Sequence, residues 1–283
     1  MSLGRLRRKP DERAARTRFI EQAAAYTPYV TVENGGFAVV VSTTDPKMAK
    51  FFAKGTRTEH RVLRSALSLL KSAGVARRGG IFIDAGANIG TSSFAALQEG
   101  FTSVLACEPE PENARLLRTS VALNGLADSV TVLEVAVSDH AGTASLDASG
   151  ASRSKARLLS AEEESRGEPV SVRLVPLDDL AVDGAFDPAS VGMLWLDVEG
   201  HEVHVLAGAS TVLAHPPPLV MELSPKLLRR AGKLDELPGL LARHYTQVAD
   251  LRHGATELIP VAQVAALIAR YEESHTDLLA CRV

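Results

Sequence analysis

The chain is poor in cysteine and in aromatic residues. Its 283 residues include two cysteines and one tryptophan, and only 5% of the residues are aromatic. Both cysteines lie in apolar, strand-like contexts, so Cys107 and Cys281 are predicted to be reduced core residues rather than a bridge or metal ligands. The low aromatic content argues against a surface that stacks nucleic-acid bases.

Strong net charge and long apolar runs are also absent. With 31 basic and 34 acidic residues the net charge is −3, which indicates no general attraction to nucleic acid. No apolar run approaches the roughly 20 residues of a membrane-spanning helix, and the N-terminal residues lack the apolar segment of a signal peptide. We therefore expect a cytoplasmic protein without a nucleic-acid or membrane partner. The basic residues within 1–18 are interpreted as a frayed helix start, with an interaction arm as the weaker alternative.

The sequence pattern changes near residue 80. Residues 1–79 predict an N-terminal extension with helices, including a short one at 48–54, and a hairpin at Asn34-Gly35. We expect this extension to help roof a pocket. From 80 to 283, strand and helix patterns alternate, which predicts an α/β domain with a doubly wound, mostly parallel sheet. The polar, aperiodic segment 147–169 is predicted to be a long mobile loop between two strands that could pair as a hairpin.

The most informative motif is Asp84-Ala85-Gly86-Ala87-Asn88-Ile89-Gly90, which follows a strand-like run and precedes a helical pattern. Its glycines allow the backbone to approach a ligand, and the helix N-terminus suits polar or anionic groups. Glu108 ends the next apolar run. A carboxylate about 20 residues after such glycines binds ribose hydroxyls. Together the turn and Glu108 predict a nucleoside cofactor.

The spacing of the turn favours S-adenosylmethionine over a dinucleotide. A dinucleotide turn reads Gly-x-Gly-x-x-Gly, whereas here Asp84 replaces the first glycine and an extra residue separates Gly86 from Gly90. A carboxylate there would repel a pyrophosphate and favour the ammonium and sulfonium groups of S-adenosylmethionine. An NAD-dependent oxidoreductase is the weaker alternative. The weakest is an ordinary strand–helix turn in which Asp84 only caps the helix.

Carboxylates recur at the predicted strand ends, where open α/β sheets bind their ligands. Asp84, Glu108, Asp197 and Glu222 each end an apolar run. Because Asp and Glu are seldom buried without a partner, a cationic cofactor, a metal ion or a hydroxyl-rich substrate would account for them. Asp197, Glu199 and Glu222 are the candidate ligands of a divalent metal, although their spacing matches no specific metal motif.

The segment from Leu196 to Glu202 supplies the candidate acid and base groups. Asp197 ends an apolar strand and Gly200 permits a tight turn into the next helix. Titratable groups beside a ligand cleft are acid/base candidates. His201 would take a proton near neutral pH, and Glu199 would do so if burial raised its pKa. We therefore expect Asp197, Glu199 and His201 to be catalytic, and Glu199, His201 and Glu222 to bind substrate.

Five motifs, in order over about residues 59–223, together closely resemble the FkbM family of S-adenosylmethionine-dependent methyltransferases. They are the 84–90 turn, Glu108-Pro109-Glu110-Pro111-Glu112-Asn113, Leu123-Asn124-Gly125-Leu126, Pro176-Leu177-Asp178-Asp179-Leu180, and the 196–202 segment with Val205-Leu206-Ala207-Gly208-Ala209. One departure is His201, because family members usually carry a small residue at that position. His201 is thus either a substrate-specific base or an exposed helix residue.

The resemblance implies a class I methyltransferase fold, with a seven-stranded sheet that is parallel except for its final strand. It implies O-methylation of a hydroxyl on a small-molecule acceptor, a sugar or polyketide-type natural product, with N-methylation or a catalytically silent cofactor-binding protein as alternatives. An oligomer is compatible with it. It places Glu108 on the ribose, Ser138 near the adenine and Glu59 facing the cofactor. The implied cofactor-binding residues are Glu59, Asp84, Gly86, Asn88, Gly90, Glu108, Pro109, Ser138 and Asp197.

Overall fold

The computed structural model describes residues 10–45, 58–75, 79–148, 156–159, 163, 165, 167–252, 254 and 257–283. The helix predicted at 48–54 and much of the predicted 147–169 loop lie outside these residues. Within the described ranges, no helix is both long enough and apolar enough to cross a lipid bilayer.

The described elements alternate along most of the chain. The helices are α1 Pro10–Ala23, α2 Thr58–Ser72, α3 Thr91–Gln98, α4 Pro111–Leu123, α5 Leu177–Val182, α6 Glu202–Ala207, α7 Ser210–Leu213, α8 Pro225–Arg230, α9 Leu237–His244 and α10 Val264–Arg270, with 3-10 turns at Pro188–Ser190 and Val261–Gln263. The strands are β1 Tyr29–Asn34, β2 Phe37–Ser42, β3 Ile81–Ala85, β4 Ser103–Cys107, β5 Val130–Leu133, β6 Ala136–Val137, β7 Gly142–Asp147, β8 Arg157–Leu158, β9 Val170–Val175, β10 Val191–Leu196, β11 Leu219–Leu223, β12 Gln247–Asp250, β13 Ile259–Pro260 and β14 Thr276–Cys281.

The main sheet has eight strands in the order β13-β12-β14-β11-β10-β3-β4-β5. The five strands from β11 to β5 are parallel, and β14 runs antiparallel between β11 and β12. The predicted α/β class with a mostly parallel sheet is confirmed, and the two-residue edge strand β13 adds an eighth strand to the expected seven. Because β3 and β10 are neighbours at the point where the order reverses, the turns that follow them lie side by side.

The strand β10 crosses the middle of the core, and every one of its residues is buried. Met193 and Trp195 pack into the apolar cluster on one face of the sheet, whereas Leu194 and Leu196 pack into the cluster on the other. This alternation follows from the two-residue period of a strand. Burial of each such side chain stabilises the fold by about 1.5–3 kcal/mol, so the strand ends on a rigid base. Cys107 and Cys281 are buried and reduced, as expected.

The chain between β5 and β10 forms a second sheet of four strands, in the order β6-β9-β7-β8. The predicted hairpin that flanks the polar segment is confirmed, because β7 pairs antiparallel with β9. The prediction of one uninterrupted loop over 147–169 is wrong at β8. Arg157 and Leu158 pair with Asp147 and Leu146 of β7, and the polarity of the surrounding segment hides this two-residue strand.

The predicted N-terminal hairpin is confirmed as β1 and β2, joined through Gly35 and Gly36. Side chains of α4 and of Asn124, the residue that follows it, attach the β2 edge of the hairpin to the domain. The Asn124 amide accepts a hydrogen bond from the Ala38 N–H at 2.9 Å and donates to the Ala38 carbonyl at 2.7 Å. The Ser120 hydroxyl accepts from the Val40 N–H at 2.9 Å. The two side chains thus take the place of a neighbouring strand.

Candidate functional site

A cavity lies at the carboxyl ends of β3, β4 and β10. The turn after β3 contributes Gly86 and Asn88, the end of β4 contributes Glu108, and the turn after β10 contributes Asp197 and Glu199. This position follows from the rule that open α/β sheets bind ligands where the strand order reverses. The predicted cofactor-binding residues that line the cavity are Glu59, Gly86, Asn88, Glu108, Pro109 and Asp197.

The N-terminal hairpin does not cover this cavity. Among the described residues before 80, only Glu59 of α2 lines it. Asn34 and Phe37 of the hairpin instead border a small crevice beside α3. The expected contribution of the extension to the pocket is therefore limited to Glu59 in the described part of the chain.

Asp84 stands behind the cavity wall rather than in it. Its carboxyl group is fully buried, and its Oδ2 accepts hydrogen bonds from Ser92 Oγ at 2.6 Å and Ser93 Oγ at 2.5 Å. Its Oδ1 has no partner among the described residues. Burial raises the pKa of Asp84 to about 6. Asp84 therefore stabilises the N-terminal end of α3. Because its side chain does not line the cavity, it acts on a ligand there through the electrostatic potential of its carboxylate.

The glycines of the turn make room for protein atoms. A Cβ on Gly86 would lie 1.9 Å from the Asp197 carbonyl oxygen, and one on Gly90 would lie 2.3 Å from Leu117 Cδ1. Both glycines also have a positive φ, which favours glycine. The missing side chain of Gly86 lets the turns after β3 and β10 touch, and Gly90 lets α4 pack closely. Gly90 does not line the cavity.

Glu108 is held in the cavity wall by backbone donors. It is 5% exposed. Its Oε2 accepts from the Asn88 N–H at 2.7 Å, and its Oε1 accepts from the Glu110 N–H at 2.9 Å. Burial raises its pKa to about 7, although these bonds oppose the shift. Oε1 also accepts from Asn113 Nδ2 at 3.5 Å. Oε2 retains a second lone pair, so Glu108 has the capacity to accept a hydrogen bond from a ligand hydroxyl.

Unsatisfied polar groups mark the same cavity. Burial, followed by the charges of Asp277 and Asp84, raises the pKa of Glu59 to about 7. Asn88 takes a left-handed backbone with φ 51°, and its buried Oδ1 has no partner among the described residues. A ligand that brings positive charge and hydrogen-bond donors would relieve both conditions. S-adenosylmethionine matches these requirements, because its ammonium and sulfonium groups are cationic and its ammonium and ribose hydroxyls are hydrogen-bond donors.

A second, wider cleft adjoins the cavity. Its walls combine apolar and polar side chains, and the polar ones include Thr143, Ser145, Ser171 and His204. The two spaces share part of their lining. The shared residues are Arg157, Leu158, Val198, Glu199 and His201.

Sequence reasoning missed Arg157, which lay in the predicted loop, and His204 of α6. In the structure both line the cleft. Arg157 forms an ion pair with Glu163 at 2.8 Å, and Arg230 contacts the same carboxylate. The pairing of β8 with β7 is the feature that carries Arg157 to the wall. A two-residue strand leaves no periodic signal in the sequence.

The turn after β10 forms the wall between the two spaces and has a strained backbone. Glu199 has φ 51° and Gly200 has φ 99°. A left-handed conformation is uncommon for a glutamate and costs of order 1 kcal/mol or more. A Cβ on Gly200 would lie 2.9 Å from Leu227 Cβ. The buried Glu202 accepts a hydrogen bond from the Gly200 N–H at 3.2 Å, which anchors the turn.

His201 is held in this wall by contacts on two sides. Its Nε2 lies 2.9 Å from Ser138 Oγ, and its ring stacks on His204 with centroids 4.1 Å apart and an angle of 8°. Burial, and next the charge of His204, lowers the pKa of His201 to about 3. The ring is therefore neutral over the ordinary pH range, and the role of His201 as a base stays a prediction. Ser138, expected near the adenine, contacts His201 and does not line the cavity.

Glu222 is the predicted substrate residue that the fold places elsewhere. It lies 3.8 Å from His275 and lines neither space. Within the described ranges, no three His, Cys, Asp or Glu side chains are grouped to hold a metal ion. Asp197, Glu199 and Glu222 are thus not brought together as a ligand set.

Comparison with known proteins gives a consistent result. The family model described as the methyltransferase FkbM domain matches residues 84–245. The 2-O-methyltransferase NoeI of Sinorhizobium fredii is 30% identical over 179 residues, which cover 57% of this chain and 70% of that protein.

Solved structures are more distant. Methyltransferase FkbM from Methylobacillus flagellatus KT is 16% identical with a TM-score of 0.46, and the match covers 94% of this chain and 58% of that one. This chain thus spans less than two thirds of the length of that structure. A precorrin-6y C5,15-methyltransferase from Geobacter metallireducens GS-15 is 15% identical with a TM-score of 0.40, over 79% and 87% of the two chains. Because the family model covers more than half of the sequence and contains both turns of the cavity, the chain belongs to the FkbM family of methyltransferases.

Proposed function

We propose that the protein transfers a methyl group from S-adenosylmethionine to a hydroxyl of a small-molecule acceptor, a sugar or polyketide-type natural product. The observation that carries the proposal is the shared wall of Arg157, Leu158, Val198, Glu199 and His201 between the acidic cavity and the wider cleft. Such a wall suits a cofactor in one space and an acceptor in the other. The 2-O-methyl activity in the name of the Sinorhizobium fredii relative supports transfer to oxygen.

The cofactor half of the proposal is supported by the acids of the first cavity. Glu108 would accept the ribose hydroxyls, and Asn88 Oδ1 would accept a donor of the methionine moiety. Asp197 and Glu59 line the same space and would favour its positive charge. S-adenosylmethionine supplies a methyl group on a sulfonium, so the protein has mainly to position the acceptor and exclude water.

The acceptor half is assigned to the turn after β10. Asp197 and Glu199 would orient the hydroxyl, since carboxylates accept its hydrogen bond. The neutral ring of His201 lies in the wall of both spaces and would accept the hydroxyl proton through a ring nitrogen. The polar side chains of the cleft would hold the other oxygens of the acceptor.

Cofactor binding is tested first, because the chain carries its own reporter. Trp195 is the one tryptophan and lines the first cavity, so its fluorescence follows occupancy of that cavity. S-adenosylmethionine, S-adenosylhomocysteine and NAD are titrated at pH 8 into the wild type, Glu108→Gln and the control Glu134→Gln. Glu134 is an exposed surface partner of Arg118.

We expect the two adenosyl ligands, and not NAD, to bind the wild type and the control. In Glu108→Gln their affinity should fall at least tenfold, or about 1.4 kcal/mol, because a charge-assisted hydrogen bond is lost. Binding of NAD alone, or unchanged adenosyl affinity in Glu108→Gln, would contradict the assignment of the cavity.

Methyl transfer is then measured with labelled S-adenosylmethionine against a panel of methyl glycosides and hydroxylated polyketides, with and without magnesium. Glu199→Gln and His201→Gln should lower transfer far more than they weaken S-adenosylhomocysteine binding, because the two side chains line both spaces. Product analysis should locate the label on oxygen. Label found only on nitrogen of an amine acceptor would refute O-methylation while leaving the family assignment intact.

A further inference from the structure

Ser138 occupies a rigid position that its expected role near the adenine does not explain. Its N–H donates to the Val175 carbonyl at 3.1 Å, and a Cβ on Gly208 would lie 2.1 Å from its carbonyl oxygen. The residue is fully buried between β9 and the end of α6. Its hydroxyl therefore contacts protein groups on fixed elements.

The neighbouring carboxylate sets the direction of the Ser138 hydroxyl. Asp139 Oδ1 accepts from His140 Nδ1–H at 2.6 Å and from Ser138 Oγ at 3.1 Å. Although burial opposes ionisation, these bonds and the charge of His204 lower the pKa of Asp139 below its ordinary value. An ionised carboxylate only accepts hydrogen bonds, so the Ser138 proton points to Asp139.

The state of His201 follows from this direction. Because the Ser138 O–H donates its hydrogen bond to Asp139, the Ser138 oxygen can only accept a hydrogen bond from His201, whose Nε2–H lies across 2.9 Å. A neutral imidazole carries one proton, so the lone pair lies on Nδ1. Stacking on His204, with centroids 4.1 Å apart, fixes the plane of the ring.

We propose that Asp139 and Ser138 are positioning residues that hold His201 in the Nε2–H tautomer. Nδ1 is then the nitrogen that takes the proton from the hydroxyl to be methylated. The role of Nδ1 rests on the proposed function, whereas the tautomer does not. Hydrogen bonding of one ring nitrogen is a general means of selecting the reactive state of the other.

The test reads the tautomer directly. Nitrogen-15 NMR spectra are recorded on protein labelled at histidine, and His201→Gln identifies the signals of His201. The wild type should show a protonated Nε2. In Asp139→Ala the Ser138 hydroxyl loses its acceptor and should donate to Nε2, which moves the ring proton to Nδ1. In Ser138→Ala neither nitrogen has the serine partner, so a mixture of tautomers is expected.

His140→Ala is the matched control, because it removes the other donor to the same carboxylate oxygen and should leave His201 as Nε2–H. A wild-type ring protonated on Nδ1, or identical His201 signals in the wild type and Asp139→Ala, would overturn this relay of hydrogen bonds from His201 through Ser138 to Asp139. Asp139 and His140 are exposed, so these two variants test it even if Ser138→Ala does not fold.

Titration of Trp195 fluorescence with S-adenosylhomocysteine separates this inference from the proposed function. A switched tautomer in Asp139→Ala together with unchanged affinity and slower methyl transfer supports both. A switched tautomer in a protein whose wild type does not bind S-adenosylhomocysteine supports the relay and refutes the cofactor assignment. A switched tautomer with unchanged transfer supports the relay and rejects Nδ1 as the proton acceptor.

Discussion

Several carboxyl groups in and around the site are buried where their ionised form is destabilised. Burial raises the pKa of Glu59, Glu108 and Glu202 to about 7 or 8. Such groups lower the stability of the ligand-free fold once they ionise. Strongly shifted pKa values of this kind cluster at functional sites.

Glu202 offers a residue-scale prediction on stability. Burial raises its pKa from 4.5 to about 8, so between these pH values the folded protein binds more protons than the unfolded chain. The free energy of unfolding contributed by Glu202 therefore falls as pH rises through this window. Glu202→Gln keeps an oxygen that accepts from the Gly200 N–H, and it removes the free-energy cost of burying a charged carboxylate. We expect it to be more stable than the wild type at pH 9, by of order a few kcal/mol.

The melting temperatures of wild type and variant should converge toward pH 4. Circular dichroism melts at pH 4.5, 6.5 and 9 measure the difference. The control is Glu236→Gln, because Glu236 is a surface partner of Lys233 with a side chain that is 56% exposed. If Glu202→Gln were less stable than the wild type at pH 9, the ionised carboxylate would be required by the turn, contrary to this account.

At the scale of elements, side chains replace backbone pairing where the N-terminal hairpin meets α4. Asn124 satisfies both the N–H and the carbonyl of Ala38. It also donates to the Ser120 carbonyl, at the end of its own helix, at 2.7 Å. One amide thus ties the extension to the domain and closes α4.

Removal of this amide should loosen the hairpin. Asn124→Ala leaves two partly buried backbone groups of Ala38 without their partner, which costs about 1–3 kcal/mol. Asn124→Asp retains the acceptor and loses the donor, so its effect should be intermediate. Hydrogen exchange of the Ala38 amide should be fastest in Asn124→Ala, with Asp128→Ala as an exposed control on the following turn. Unchanged Ala38 exchange in Asn124→Ala would mean that apolar contacts alone hold the hairpin.

The whole fold concentrates acids from separate elements around one cavity. Glu59 comes from α2 and Glu108 from the end of β4, while Asp84 of β3 and Asp277 of β14 add their charges to that of Glu59. These elements are distant in sequence and meet because β3 lies at the centre of the sheet. The cavity therefore behaves as one electrostatic unit toward a cationic ligand.

Binding of S-adenosylmethionine should accordingly release protons. In the ligand-free protein the pKa of Glu59 and of Glu108 is about 7, and a bound cation favours the ionised forms. Affinity should fall as pH decreases below about 7, by up to about tenfold per pH unit for each group. Calorimetry in two buffers of different ionisation enthalpy should detect released protons at pH 6 and almost none at pH 8.5.

Glu59→Gln should make this pH dependence shallower, because one of the two groups no longer titrates. The control Glu134→Gln should keep the wild-type slope. Affinity that stays constant between pH 5.5 and 8 would show that neither carboxyl group changes its protonation on binding.

The sequence by itself determined the features that depend on neighbours along the chain. Turn chemistry predicted the hairpin at Asn34-Gly35, and alternating strand and helix patterns predicted the sheet. The strand-turn-helix pattern around Gly86 and the apolar run before Glu108 predicted that both line one cavity, as they do. These features follow from backbone preferences and hydrophobic periods, which act over a few residues.

Only the tertiary structure decided what each side chain faces. A Cβ on Gly86 would meet the Asp197 carbonyl oxygen, Ser138 contacts His201, and Glu222 lies away from both spaces. Each of these outcomes depends on how segments far apart in the chain pack, and no local pattern records the direction of a side chain after packing. The tautomer of His201 belongs to the same class, since its hydrogen-bond partner lies 63 positions away in the sequence.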